Sequence, residues 1–298
     1  MSFLSRLFGE SNQDDRGSSL HINRTIKDPL CFQVLMDRPL QPQSSQFMDA
    51  LHACHESMRD ARCRVDPELC LEGSMMGLIG WGNHVIRLVS LNCAMPAEAT
   101  EWCISAANYP DPLKARARSH KFHVLLYYAG FEPNPLEQYV ALACLAGIMS
   151  RFGAVVVMNE LAHTSFPAEA LSKTDRDEDL LEMLRSLPLL FLYCGFVRIQ
   201  VVDMDGIWMR TFGAYRLGLP DLALLAADAN EGTRVSELFE TVLGLLRQSE
   251  TEIADGYSLS LGPDLCLHFR SPLRQEFFLE NKGPLFIIEP VRSERSRR

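Results

Sequence analysis

Residues 207–227 read IWMRTFGAYRLGLPDLALLAA. The stretch divides into a predicted strand, Ile207–Phe212, a glycine break at Gly213, a second break at Gly218-Leu219-Pro220, and a short apolar strand, Leu222–Ala227. An amphipathic helix pattern follows. Glycines at such breaks serve strand-to-strand geometry, where a side chain would obstruct the bend. No catalytic motif lies inside it. Its charged residues among apolar neighbours are Arg210, Arg216 and Asp221. They read either as an Arg–Asp pair bracing the turn or as an anchor facing a ligand. If function lies nearby, Arg210, Tyr215 and Asp221 are the residues placed to face a histidine-bearing strand.

Downstream, Val235, Leu238, Phe239, Val242, Leu245 and Leu246 recur at helical spacing. Strands are expected near Tyr257–Leu261, Leu265–Phe269 and Leu285–Ile288, before a basic tail at 292–298. Upstream, Asp205-Gly206 reads as a hairpin turn and Leu189–Val202 as strand material. Thr174 is placed to cap a charged helix, Asp175–Leu187, which Pro188 stops. Ala154–Met158 is a β-branched run suited to a central strand. Leu136–Phe152 is apolar on nearly every side from Val140 onward, the pattern of a buried helix.

Gly130-Phe131-Glu132-Pro133-Asn134-Pro135 breaks the chain most decisively. It divides the chain into a flexible leader (1–29), an N-terminal α+β half (30–135), a C-terminal α+β half packed on the first (136–291), and the basic tail (292–298). In the first half, Leu30–Met36 is an apolar strand. Ser44-Ser45 offers a helix N-cap ahead of Phe47, Leu51, Cys54 and Met58. A polar connection and the glycine-punctuated stretch Met75–Gly82 lead through a Gly82-Asn83 turn into a strand, His84–Leu91. Pro96 starts a helix expected to carry Trp102, Cys103 and Ala106 inward, with Pro110 and Pro112 ending it. A basic run, Lys114, Arg116 and Arg118, precedes a strand at His120–Tyr128. Hairpins and helices mixed in this way predict an α+β fold with a mixed, largely antiparallel sheet and packed helices. Both halves contain these ingredients, which leaves an internal duplication open.

A chain of 298 residues removes roughly 75% of its unfolded surface from water, so its core needs no metal or disulfide staples. The net charge of −9 argues against sequence-independent nucleic-acid binding, which needs a basic face. Nine cysteines, odd in number and without a CxxC pair, point away from a tetrahedral zinc site and toward a reducing cytoplasm. The longest apolar run, Val140–Met149, is far short of a membrane helix, and no secretory signal is evident. The N-terminal residues 3, 4, 7 and 8 form an apolar helical stripe that reads as a frayed start or a weak surface-binding helix. No phosphate loop, dinucleotide fingerprint, HExxH or GxSxG is present, and no cofactor or metal is expected.

The histidines are the remaining candidates for chemistry. His120 and His123 point to opposite faces of a regular strand, unless the strand begins later and His120 turns toward His123. His163, in the loop after Ala154–Met158, could supply a further ligand, and His52 and His55 share a helical face at i, i+3. Each also reads as a satisfied structural or surface histidine.

Ser119-His120-Lys121-Phe122-His123-Val124, Thr211-Phe212-Gly213 and Leu217-Gly218-Leu219-Pro220-Asp221-Leu222 together resemble segments of a bacterial family known as domain of unknown function 4261. In that family a Ser-His-x-x-His strand entry occurs, and a Thr-x-Gly-Leu turn is followed by an aromatic-Gly step and an acidic residue entering a strand. The helix followed by Gly153-Ala154 and a strand is also similar. Ala214, Leu217 and Asp221 depart from the family's usual Leu, Phe and Glu. The resemblance covers most of residues 30–288. It implies a cytoplasmic bacterial α+β protein with no established activity, and raises His120, His123, Gly213, Gly218 and Asp221 as positions to inspect. Two functions follow as expectations. One is a non-catalytic protein-binding or accessory protein, of an immunity type, whose partner is another protein. The alternative is a hydrolase using His120, His123 or His163 with a carboxylate or metal.

Overall fold

The apolar run after Pro29 becomes β1 (Cys31–Met36), a strand covered on both faces. The computed structural model describes residues 20–71, 74–172, 179–202, 204–249 and 252–292, and the side chains of these except 67–71 and 292. Phe32, Val34 and Met36 point into the main core, while Leu35 points into a second cluster on the opposite face. That two-sided burial explains why the stretch is continuously apolar rather than alternating.

A seven-stranded sheet surrounds it. Its order is β2 (Arg62–Leu71), β3 (Ser74–Trp81), β4 (His84–Leu91), β5 (Phe122–Tyr128), β1, β6 (Ala154–Asn159) and β7 (Thr164–Pro167). Every pairing in it is antiparallel. The main-core face is covered by α4 (Pro135–Ile148), whose residues from Tyr139 to Ile148 are all buried. Asn134 caps it by accepting from the Leu136 N–H, and Pro135 begins it where no N–H is needed. α1 (Ser45–His52) flanks α4, with Ser44 accepting from the Phe47 N–H. The other face is covered by α2 (Ala97–Ser105) and α3 (Asp111–Arg118), which supply Cys103, Ile104 and Ala117 to the second cluster.

A six-stranded sheet follows in the order β11 (Ser258–Ser260), β12 (Leu265–Arg270), β13 (Leu285–Arg292), β10 (Asp221–Ala226), β9 (Ile207–Phe212) and β8 (Gly195–Ile199). All its pairings are antiparallel except β10–β13. One face carries α7 (Gly232–Ser249), whose Val235, Phe239, Val242 and Leu246 join Met209, Leu222 and Leu224 in the main core. The other face packs Trp208, Ala223, Leu285 and Ile287 beneath Leu279. Between the sheets run the short helices α5 (Leu180–Ser186) and α6 (Leu189–Leu192). The fold is thus α+β with two mostly antiparallel sheets, and no helix among the described residues is long and apolar enough to cross a membrane.

Several local expectations are corrected. The chain labelled a polar connection before residue 75 is mostly β2, at the edge of the first sheet, where Pro67 is tolerated. Pro110 and Pro112 start α3 as N-cap and first-turn residues instead of only ending α2, so the basic run is helical. α2 buries Thr100, Cys103 and Ile104, which leaves Trp102 60% exposed and Ala106 exposed. α1 stops at His52, so Cys54 and Met58 belong to the turn and short 3₁₀ helix that follow. Leu189–Leu192 is helical and only 195–199 is strand. The expected cap at Thr174 lies outside the described residues; the described helix α5 begins at Leu180 and is capped by Asp179. The expected N-terminal stripe at 3–8 also lies outside them. The first sheet takes β1–β5 from before residue 135 and β6 and β7 from after it, and the main core runs through both sheets.

Candidate functional site

The hairpin of β9 and β10 is tied by side chains as well as by its backbone ladder. Gly213 (φ +87°) and Gly218 (φ +75°) bracket a 3₁₀ turn, Ala214–Leu217, in the left-handed region that glycine enters freely. Asp221, the first residue of β10, reaches back over that turn. Its Oδ1 accepts from Thr211 Oγ1 at 3.0 Å and from the Ala214 N–H at 3.1 Å, and its Oδ2 accepts from Arg210 at 3.4 Å. Thr211 Oγ1 in turn accepts from the Leu222 N–H at 2.8 Å. Arg210 Nε donates to the Thr211 carbonyl, and the guanidinium lies 3.7 Å from the centre of the Phe212 ring. Arg210 and Asp221 are each 1% exposed. Burial raises the Asp221 carboxyl against the lowering by Arg210 and the N–H donors, and burial lowers Arg210 against the pull of Asp221. Of the two readings open for this pair, the geometry is that of a brace.

His163 extends the same assembly toward solvent. It follows a short turn, Glu160–Ala162, after β6, and its φ of +52° makes it the only non-glycine residue with positive φ among those described. Such a conformation costs about 1–2 kcal/mol for an L-residue and persists where packing enforces it. Here the ring stands edge-on to Phe212 at 4.8 Å and also lies 5.7 Å from Trp102. The preceding turn presses on the second sheet so closely that a Cβ at Gly195 would sit 1.5 Å from the Ala162 carbonyl oxygen. Burial lowers the His163 pKa, and Arg210 lowers it further. A ladder therefore runs from the surface inward: Trp102, His163, Phe212, Arg210, Asp221.

Trp102 is its exposed end. Leu161, on the turn that packs against α2, is 40% exposed beside it. Glu98, Glu101 and Glu160 are exposed on the same two elements, with Glu101 paired to Arg118. Trp102, expected on the inward face of its helix, is instead at the surface, and nothing in the sequence singles out Leu161 or Phe212 as site residues. For Trp102 the signal was available: Thr100, Cys103, Ile104 and Ala107 follow helical spacing and leave Trp102 on the outer face.

His120 and His123 lie elsewhere. β5 begins at Phe122, so His120 precedes it, next to the end of α3. Its Nδ1 donates to the Ala117 carbonyl at 2.7 Å and its Nε2 accepts from the Met95 N–H at 2.8 Å, which fixes the neutral tautomer. His123 Nδ1 donates to the Cys93 carbonyl at 2.7 Å. Burial lowers both pKa values, and for His123 the neighbouring His120 adds to this. Both rings thus tie the 93–95 segment to the sheet through backbone groups. His123 stands opposite Leu35, whereas Met158, on the way to His163, stands opposite Gln33 and leads toward the other end of β1. The structure joins His163 with Arg210 and Asp221 and separates them from His120 and His123. His52 and His55 do not share a helix: His52 Nε2 donates to the Ala61 carbonyl, and His55 Nε2 pairs with Asp179 at 2.9 Å. Among the described residues, no three His, Cys, Asp or Glu side chains gather as a metal would require.

Tyr215 faces a different space. With Arg216, Ile26, Asp28, Pro135 and Gln138 it lines a shallow cleft of about 240 Å³, and burial raises its phenol. Arg216 clamps the entering chain there through Asp28 and the Pro29 carbonyl.

Fold and site together define an α+β protein whose two sheets meet at an aromatic ladder with a buried ion pair at its base. No family model, curated protein or solved structure matches the chain.

Proposed function

We propose that this is a non-catalytic protein-binding or accessory protein, of the immunity type, that docks another protein on the surface around Trp102. The observation that carries the reading is Trp102 itself, 60% exposed yet backed by His163, Phe212 and the buried Arg210. A large aromatic held by a rigid support loses little freedom when it binds, which is the property of interface hot spots. Glu98 on α2 and Glu160 on the neighbouring turn are exposed, which favours a partner with an apolar pocket bordered by Lys or Arg. Supporting binding over hydrolysis, both ring nitrogens of His120 are occupied by backbone groups, and the base of the ladder spends its carboxylate on the turn. Membership of the domain of unknown function 4261 family, a bacterial source and a cytoplasmic site of action belong to the same proposal.

Affinity purification of tagged wild-type and Trp102→Ala protein from the native host, with quantitative mass spectrometry, tests it. A protein recovered in stoichiometric amount with the wild type should lose at least about 30-fold in affinity for the variant, roughly 2 kcal/mol. Recovery of no such protein, or equal recovery by both forms, would overturn the reading.

A further inference from the structure

Two cysteines 90 positions apart meet where the end of α1 approaches α4. Cys54 lies in the turn after His52 and is half-buried, while Cys144 lies within α4 and is buried. Their Sγ atoms are 3.5 Å apart, and the Cys144 thiol also reaches Met58 Sδ at 3.5 Å. A buried cysteine among apolar residues ordinarily acts as a small hydrophobe. This pair differs in two respects: its sulfurs touch each other, and one of the two residues is only partly buried.

The environment also divides the two thiols by role. Hydrogen bonding from Cys144, aided by Arg151, lowers the Cys54 pKa against the effect of burial, whereas the same contact and burial raise Cys144. Cys31, Cys63 and Cys103 are all pushed up by burial, to about 12, about 11 and about 12. A thiol with greater thiolate character and partial exposure is the one that oxidants select. A disulfide bond is about 2.05 Å long, so the sulfurs must close by roughly 1.5 Å. Cys144 is fixed in a helix, but Cys54 sits in a turn and can supply that movement.

We propose that Cys54 and Cys144 are a reversible dithiol–disulfide site oxidised by hydroperoxides. The Cys54 thiolate, its proton released to solvent, attacks the hydroxyl oxygen of the hydroperoxide, the O–O bond breaks, and Cys54 becomes a sulfenic acid while the departing alkoxide or hydroxide takes up a proton from solvent and leaves as an alcohol or water. The Cys144 sulfur then attacks the Cys54 sulfur, the S–O bond breaks, and the departing hydroxide takes the Cys144 proton as water. The two sulfurs lose two electrons in all, and the peroxide gains them.

The full chain, reduced and desalted, is treated with increasing hydrogen peroxide. Remaining thiols are blocked with N-ethylmaleimide in urea, and the unreduced digest is read by mass spectrometry. The expected product is a linked pair of peptides carrying Cys54 and Cys144, lighter by two hydrogens than their sum, lost on dithiothreitol treatment and absent from Cys54→Ser. It should form at a lower peroxide dose than oxidation of exposed Cys93. In Cys144→Ser, checked for folding by circular dichroism, Cys54 should instead be trapped by dimedone as the sulfenic acid. The wild-type measurement decides even if that variant fails to fold. Recovery of Cys54 and Cys144 as maleimide adducts at a dose that oxidises Cys93 would overturn the proposal. So would linkage of Cys54 to another cysteine, or its conversion to sulfinic acid with Cys144 still free.

Discussion

Replacing Asp221 with alanine removes a carboxylate that is 1% exposed and leaves Arg210, equally buried, without its counter-ion. The Ala214 N–H and the Thr211 hydroxyl lose their acceptor at the same time. Each orphaned buried donor costs about 1–3 kcal/mol, and breaking a buried ion pair from one side costs about 3–5 kcal/mol. These terms overlap, because all three describe the loss of one group, so about 4 kcal/mol is the working figure. With a urea m-value of about 3 kcal/mol/M for a chain of this size, the unfolding midpoint should fall by roughly 1.3 M at constant m. Asp221→Asn keeps an acceptor for Ala214 and Thr211 and should fall between this variant and the wild type. Arg210→Met combined with Asp221→Leu removes both charges and fills the space, and should recover at least half of the lost midpoint. A shift below about 0.3 M for Asp221→Ala would refute the reasoning, because it would mean that water or a moved side chain reaches the pair. A double variant as unstable as the sum of the two single variants would refute it equally.

Acid should weaken the fold in a defined window. His120, His123 and His163 all bind their proton more weakly in the folded chain than in the unfolded one, because burial lowers their pKa values. Their contribution is therefore complete above an unfolded value of about 6.5 and is lost as pH falls from there through the lowered folded values, by up to about 1.4 kcal/mol per pH unit for each group. Urea midpoints measured across that range should show this slope, and a flat profile would contradict the burial assigned to these rings. Gly195→Ala places a methyl group 1.5 Å from the Ala162 carbonyl oxygen, a backbone atom that cannot rotate away. It should lower stability by about 3 kcal/mol or more in thermal or urea unfolding, and a neutral result would mean that the 160–162 turn does not rest on β8. Trp102→Ala should change stability by no more than about 0.5 kcal/mol, since so much of the ring is already in water. A larger loss by calorimetry would recast Trp102 as a packing residue.

Strands with strong local chemistry were legible in the sequence. β9 has the predicted bounds, and the Gly82-Asn83 turn joins two paired strands. Ser44 caps the helix it was expected to cap. Elements failed where one residue type serves two purposes. Proline stops one helix and opens the next with the same fixed φ, so Pro110 and Pro112 concealed α3. The apolar run at 189–192 is too short for periodicity to separate helix from strand. At the site, the histidines were the visible letters, but the partners of His120 are backbone groups three and 25 positions away. Side-chain chemistry cannot reveal those. The Trp102–His163–Phe212 contacts join residues from three distant segments, which no local pattern encodes.

β13 follows every other described strand in sequence yet lies inside its sheet, between β12 and β10. This placement sets an order on folding. During synthesis, β8, β9 and β10 can form their antiparallel ladder early, but β10 keeps an open edge until residues 285–287 arrive to pair with 221–223. That edge belongs to a strand in which Leu222, Ala223 and Leu224 are all buried in the finished protein. A nascent chain therefore displays an unpaired, apolar strand edge for the time needed to make about 60 further residues, several seconds at usual synthesis rates. The parallel pairing must also wait for a long loop to close, which makes it a slow step by its topology. The β10 edge therefore needs protection until residues 285–287 are in place.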